Sequence, residues 1–239
     1  MPPVERLPPP PAVPKRSPPV AIRGEESERI AGRAGGPALD ARVHVPSAAV
    51  RSVVICHPHP LYGGSMHSPV CLALARALSE HASDRVAWAR FDFRGVGASE
   101  GHYDEGRGEL DDAMAVIEAL ARRVPRVPVT VSGHSFGSWI ALRAAASAPR
   151  ELLVTRAVLF APSTRIFALS EGEIGFLGTT SIFVGSEDEY CGVDEARELG
   201  RRLHADRVRV FEGFDHQFMQ GRRRVAEEAL SSLVPEVDS

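Results

Sequence analysis

Residues 129–141, VTVSGHSFGSWIA, place Gly133-His134-Ser135-Phe136-Gly137 between a strand pattern and a helix pattern. Val129 and Val131 alternate with polar residues after Pro128, a residue tolerated at the start of a strand. Beyond Ser135 the composition turns to Trp139, Ile140, Ala141, Leu142 and Ala144 to Ala146, which favours a helix. A serine at such a turn is forced into strained backbone, so the residues two before and two after must lack side chains that would collide. Gly133 and Gly137 meet that need. The turn lifts the hydroxyl out of the sheet and brings up the N-terminus of the next helix, whose free N–H groups and partial positive charge suit a developing oxyanion. G-x-S-x-G is a weak string by itself, and the strand before it and the helix after it carry the information. The competing reading is an ordinary glycine-rich turn in an α/β protein.

Working outward, Val53-Val54-Ile55-Cys56 is a continuous apolar run that fits a strand buried on both faces. It runs straight into His57-Pro58-His59-Pro60-Leu61-Tyr62-Gly63-Gly64. Ser68 as N-cap and Pro69 at the first helical position then open a helix through Leu78. Val86 to Phe93 reads as a strand ending in a glycine-rich loop, Arg94 to Gly101, and residues 110–121 carry an amphipathic helical pattern. After the central turn, strands are expected at Val154 to Phe160, Thr180 to Val184 and Val208 to Phe211, with helices at Asp194 to Leu203 and Val225 to Leu233. Before the first apolar run, Leu39 to Val45 alternates as a half-exposed strand, and Gly24 to Gly36 reads as a polar turn between short first strands. Strand and helix alternating in this way imply a mainly parallel, twisted sheet with helices on both faces.

The 239 residues suffice for one such domain, expected over 20–239, and hardly for two. Residues 1–19 are dominated by proline and are expected to stay a disordered tail with no secretory signal. No apolar run approaches the ~18 residues of a membrane span. A formal net charge of -3 gives no general attraction to nucleic acid or anionic lipid, which leaves a small molecule as the expected partner. Three widely spaced cysteines, Cys56, Cys71 and Cys191, make no disulfide framework and fit a cytoplasmic location. Oligomeric state is not legible.

In such a sheet, functional residues gather beyond the carboxyl ends of the strands. A serine hydroxyl needs an imidazole to take its proton, and the imidazole needs a carboxylate to fix its tautomer. The loop after 181–184 offers Glu187, Asp188 and Glu189, and the loop after 208–211 offers Asp215 and His216. Neighbouring side chains diverge, so Asp215 is read as shaping the loop that carries His216. The order serine, acid, histidine is that of the α/β-hydrolase arrangement.

The segments CHPHPLYGG (56–64), FDFRGVGASEG (91–101), GHSFGSWIAL (133–142), VGSEDE (184–189) and FDHQF (214–218) resemble the small bacterial α/β hydrolases, in the branch of serine hydrolases near the dienelactone hydrolases and carboxylesterases. The likeness runs from about residue 39 to the C-terminus, and HPHPLYGG is its most specific piece. It implies an α/β-hydrolase fold with a nucleophile at Ser135, an acid at Asp188 and a base at His216, and no cofactor or metal. One oxyanion donor is expected at the Phe136 amide. The other is sought in 57–64, where Pro58 and Pro60 have no N–H and His59, Leu61 and Tyr62 are the nominees. Analogy with the loop after this strand in the fold selects His59. His134 is expected to pack beside the turn without chemistry, and Arg94 to border the site, either building its loop or meeting an acidic substrate.

The expected activity is carboxylesterase-like cleavage of small or medium acyl esters, with thioesters within reach of the same mechanism. The stretch between Phe160 and Thr180 is too short for a separate lid, so the cap should be minimal. Two other classes stand beside this one. His57 and His59, completed by His67 or Asp92, form a candidate metal pair of a metal-dependent hydrolase. A non-catalytic binding protein could also keep this fold.

Overall fold

The apolar runs become the middle of one eight-stranded sheet. The structure is a computed structural model and describes residues 20–235. The proline-rich stretch 1–19 lies outside the described residues, as do the last four of the expected 20–239 domain. In chain order the strands are β1 (Glu26–Ile30), β2 (Leu39–His44), β3 (Arg51–Cys56), β4 (Val86–Phe91), β5 (Val129–His134), β6 (Val154–Phe160), β7 (Thr179–Gly185) and β8 (Arg207–Phe211). The helices are α1 (Pro69–His81), α2 (Arg107–Arg123), α3 (Phe136–Ser147), the short α4 (Glu171–Ile174), α5 (Val193–Arg202) and α6 (Arg222–Leu233). The sheet order is β1-β2-β4-β3-β5-β6-β7-β8. β2 runs antiparallel to both neighbours, and every pair from β4 to β8 is parallel.

Both faces of the sheet are covered, which is why Val53 to Cys56 in β3 reads as an unbroken apolar run rather than an alternating one. Successive residues of a strand point to opposite faces. Val53 and Ile55 therefore join the core beneath α1 and α6, together with Val158, Phe160 and Phe183. Val54 and Cys56 join the core beneath α2, α3 and α5, with Leu159, Ile182 and Val184. The expected strands and long helices are all present, with ends shifted by a few residues. Three local expectations need correction. Gly24 to Gly36 contains the whole of β1, whose polar sequence ESERI buries only Ile30. Ser68 occupies the N-cap of α1, but its Oγ accepts the Ser65 N–H at 3.0 Å instead of capping the helix. The connection between β6 and β7 is not wholly irregular, since it holds α4.

The edge next to the site is held by a buried ion pair. The Arg90 guanidinium on β4 meets Glu25 at 2.6 Å, with both side chains almost without solvent contact. The same guanidinium donates to the carbonyls of Val20 at 2.7 Å and Met66 at 3.0 Å. One side chain thus ties the start of the described chain and the loop before α1 to the middle of the sheet. No helix of the described residues is long and apolar enough to cross a membrane.

Candidate active site

Ser135 stands between the last residue of β5 and the first of α3, with φ 58° and ψ -120°. Such a conformation costs a non-glycine residue on the order of 1–3 kcal/mol and persists only where its surroundings hold it. They do. The Ser135 N–H donates to Phe160 O at 2.9 Å, and its carbonyl accepts the Ser138 N–H at 2.9 Å. The Ser138 hydroxyl lies 2.7 Å from Gly133 O and 2.8 Å from Phe160 O. A Cβ at Gly133 would overlap the Gly137 carbonyl, and one at Gly137 would overlap the carbonyls of Cys56 and His57. Glycine at both positions lets α3 start directly against β3 and β5, as the turn requires.

The structure brings Asp188 and His216 together from the ends of β7 and β8. His216 Nδ1 lies 3.0 Å from each oxygen of Asp188. Both side chains are buried. Asp188 Oδ1 also accepts the N–H groups of Tyr190 at 2.8 Å and Cys191 at 3.0 Å. These donors hold the carboxylate in place. Glu187 and Glu189, the other acids of that loop, are exposed. Asp215 shapes its own turn, accepting the Met219 N–H at 2.9 Å through Oδ1. Ser186 Oγ accepts the Gly213 N–H at 2.8 Å and so joins the acid loop to the histidine loop.

Ser135, His59 and His216 line a single cavity of about 340 Å³ that also meets Tyr62, Ile166, Phe167 and Tyr190. Among the described residues, none of its lining side chains is Asp, Glu, Lys or Arg. Ile166 and Phe167 come from the short β6–β7 connection, which among the described residues is the cap over this site. Among the described residues the hydrogen bond of Ser135 Oγ goes to Ser163 Oγ at 3.1 Å. That contact was not legible in the sequence.

The loop after β3 separates the roles of its residues. The N–H of Leu61 is taken by His59 Nδ1 at 3.2 Å and that of Tyr62 by His59 O at 3.1 Å. The N–H of His59 has no acceptor among the described residues. The metal reading needs correction here. His57 Nδ1 donates to Pro58 O at 2.6 Å while Nε2 accepts the Phe93 N–H at 3.0 Å, so neither nitrogen is available to an ion. Asp92 accepts the Met66 N–H at 2.7 Å, and His67 Nδ1 receives the Val20 N–H and lies beside Arg90. Among the described residues the cluster with metal-ligand spacing is Glu80, His81 and Glu227, all exposed and remote from this loop in sequence. Burial pushes His57 down to about 3 and His59 down to about 4, keeping both rings neutral near pH 7.

Arg94 is committed as well. Its Nη2 lies 2.7 Å from Asp112 Oδ1, and its backbone N–H donates to Asp112 Oδ2 at 2.9 Å, which ties the glycine-rich loop to α2. His134 does more than pack. Its Nε2 donates to the His216 carbonyl at 2.9 Å, and burial, with His216 close by, pushes it down to about 3. A neutral ring on β5 thus holds the backbone that carries His216.

Comparison with known proteins agrees with this architecture. An uncharacterized protein of Rickettsia prowazekii is 28% identical over 212 residues, covering 84% of this chain and 82% of that protein. An α/β serine hydrolase homologue from Coxiella burnetii superposes with a TM-score of 0.72 at 28% identity, covering 88% of this chain and 100% of that one. A lidless α/β serine hydrolase from Xanthomonas campestris gives 0.74 at 27% identity, covering 92% and 99%. The model of the serine aminopeptidase S33 family matches residues 47–175, from the strand before the HPHP loop through the elbow serine to the short cap. Spanning more than half of the sequence, that match and the fold around it make this chain a member of the serine aminopeptidase S33 family of α/β hydrolases.

Proposed function

We propose that this protein is a serine hydrolase that cleaves neutral carboxylic esters through an acyl-enzyme on Ser135. The observation that carries the reading is the His216–Asp188 pair, at 3.0 Å to both carboxylate oxygens, opening onto the same cavity as a serine held at φ 58°. Asp188 fixes the proton on Nδ1, so His216 Nε2 is left as the base. Ser135 attacks the ester carbonyl as its proton passes to Nε2. The tetrahedral oxyanion lies between the N–H groups of Phe136 and His59. Collapse expels the alcohol, which takes the proton from His216. Water then adds with the same base, and the acid leaves.

The cavity lining narrows the substrate. The family's description as aminopeptidases calls for recognition of a free α-ammonium group, yet among the described residues no carboxylate lines this cavity to pair with one. About 340 Å³ suits a small or medium acyl group. Three free, buried cysteines support a reducing, cytoplasmic setting.

The test is labelling by a fluorophosphonate probe, wild type beside Ser135→Ala and His216→Ala, followed by 4-nitrophenyl esters of increasing acyl length and by alanine 4-nitroanilide. The expected result is labelling and ester turnover that vanish in both variants, with no cleavage of the anilide. Ester turnover that survives Ser135→Ala would refute the mechanism. Efficient anilide cleavage would refute the assignment to neutral esters.

A further inference from the structure

Ser163 follows β6 by three residues and is only 4% exposed. The backbone that carries it is fixed. The Ala161 N–H donates to Phe183 O at 2.8 Å, and the Ser163 carbonyl accepts the N–H groups of both Ile166 and Phe167 at 3.0 Å. The hydroxyl faces the cavity that Ser135 and His216 share, 3.1 Å from Ser135 Oγ. Two hydroxyls at this distance can be bonded either way round, and the chemistry selects one. Ser135 has a single proton, and attack requires that it go to His216 Nε2. Only a bond in which Ser163 donates and Ser135 Oγ accepts can persist while that happens.

Resting on the reading of Ser135 as nucleophile, we propose that Ser163 is an auxiliary hydrogen-bond donor to Ser135 Oγ that acts when the acyl-enzyme breaks down. In the second step water adds to the acyl carbon and its proton goes to His216 Nε2. The tetrahedral intermediate then collapses, the bond from the acyl carbon to Oγ breaks, and its electron pair goes to Oγ. The proton on His216 returns to Oγ, and the acid is released. Charge builds on Oγ before that proton arrives, and a donor 3.1 Å away is the group placed to stabilise it. In the first step the same bond draws on an Oγ lone pair, so it gives attack little help. Its effect therefore falls on deacylation.

The experiment forms the acyl-enzyme with a brief pulse of 4-nitrophenyl butyrate and follows its decay by intact mass, in wild type, Ser163→Ala and Ser163→Thr. Steady-state kcat and kcat/KM are measured alongside. One lost hydrogen bond to a charging oxygen is expected to prolong the Ser163→Ala acyl-enzyme by about tenfold. Its kcat should fall by the same factor while kcat/KM moves by less than about threefold, and Ser163→Thr, which keeps the hydroxyl, should decay like wild type. A merely structural role would instead lower kcat/KM along with kcat. An acyl-enzyme in Ser163→Ala that decays within twofold of wild type, or faster, overturns the proposal, as does a parallel fall of kcat and kcat/KM. A wild type that is never acylated at Ser135 overturns the nucleophile reading itself, and is seen as such before any variant is compared.

Discussion

Replacing Asp188 with asparagine isolates the acid's effect on the tautomer of His216. Asp188 Oδ1 receives two backbone donors, the N–H groups of Tyr190 and Cys191 at 2.8 and 3.0 Å. In Asp188→Asn these donors keep the amide oxygen where Oδ1 was, so the NH₂ takes the place of Oδ2, 3.0 Å from His216 Nδ1. Nδ1 then faces an NH₂ donor at 3.0 Å and an amide oxygen, also at 3.0 Å, that two backbone donors already occupy. The pairing that satisfies the NH₂ makes Nδ1 the acceptor and puts the proton on Nε2, where it blocks the base. Substitutions of this kind cost on the order of 10⁴ in turnover, about 5 kcal/mol of barrier. Stability should change little, because the packing and both backbone bonds survive. The assay is kcat/KM for 4-nitrophenyl butyrate from pH 6 to 9, with thermal denaturation as the control. Glu187→Gln and Glu189→Gln, both exposed, should stay within about threefold of wild type. Asp188→Asn keeping more than a tenth of the activity, or Glu187→Gln matching its loss, would show that the acid has been misassigned.

Two further expectations come from buried groups. His57, His59 and His134 are pushed down to about 3, 4 and 3, chiefly by burial, so each stays neutral in the fold while the unfolded chain protonates it below about 6.5. Their stabilisation is complete above that value and is lost as pH falls. Asp92, pushed up to about 6 by burial, works in the opposite sense between about 4 and 6 and offsets part of the loss. Urea unfolding should therefore lose about 4 kcal/mol between pH 7 and pH 5 and vary little from 7 to 8.5, and a flat or rising stability toward pH 5 would contradict the neutral histidines. Gly137→Ala puts a methyl group into the carbonyls of Cys56 and His57. It should lower the melting temperature and, by shifting the Phe136 amide, reduce kcat by about 100-fold, read by thermal denaturation and ester kinetics.

The parts of the molecule that read clearly in the sequence are those where local pattern and tertiary demand coincide. Val53 to Cys56 and Ala157 to Phe160 are buried on both sides of the sheet, so their apolar runs mark strands whatever surrounds them. Gly133 and Gly137 mark the elbow because two backbones pass within one Cβ of each other there. β1 escaped because an edge strand with Ile30 as its one buried residue has no periodicity to detect. The choice of Asp188 over Glu187 and Glu189 is a matter of burial, and 28 residues of chain separate it from His216. His134 and the His216 carbonyl are 82 residues apart, and Ser163 and Ser135 are 28 apart. A hydrogen bond across such distances leaves no local signature, and a buried histidine or serine looks like any other until the strands are aligned.

The HPHP loop shows how a string suited to one chemistry can be built for another. Histidines at alternate positions beyond a strand resemble a metal pair, but His57 spends one nitrogen on Pro58 O and the other on the Phe93 N–H, locking its own loop to the one after β4. That arrangement needs a neutral ring, since a proton on Nε2 would set two donors against each other, and burial supplies the neutrality. The prolines remove the donors of residues 58 and 60. His59 then absorbs the next two, taking the Leu61 N–H on its ring and the Tyr62 N–H on its carbonyl, while its ring packs at 4.9 Å from Phe136, Tyr62 and Tyr103. Among residues 58–62 this leaves one backbone donor without an internal acceptor, that of His59. A rigid loop that consumes its donors save one is what an oxyanion site requires, because preorganised donors cost nothing to orient when the charge appears. On the proposed mechanism the two prolines and two histidines serve the placement of a single N–H, that of His59.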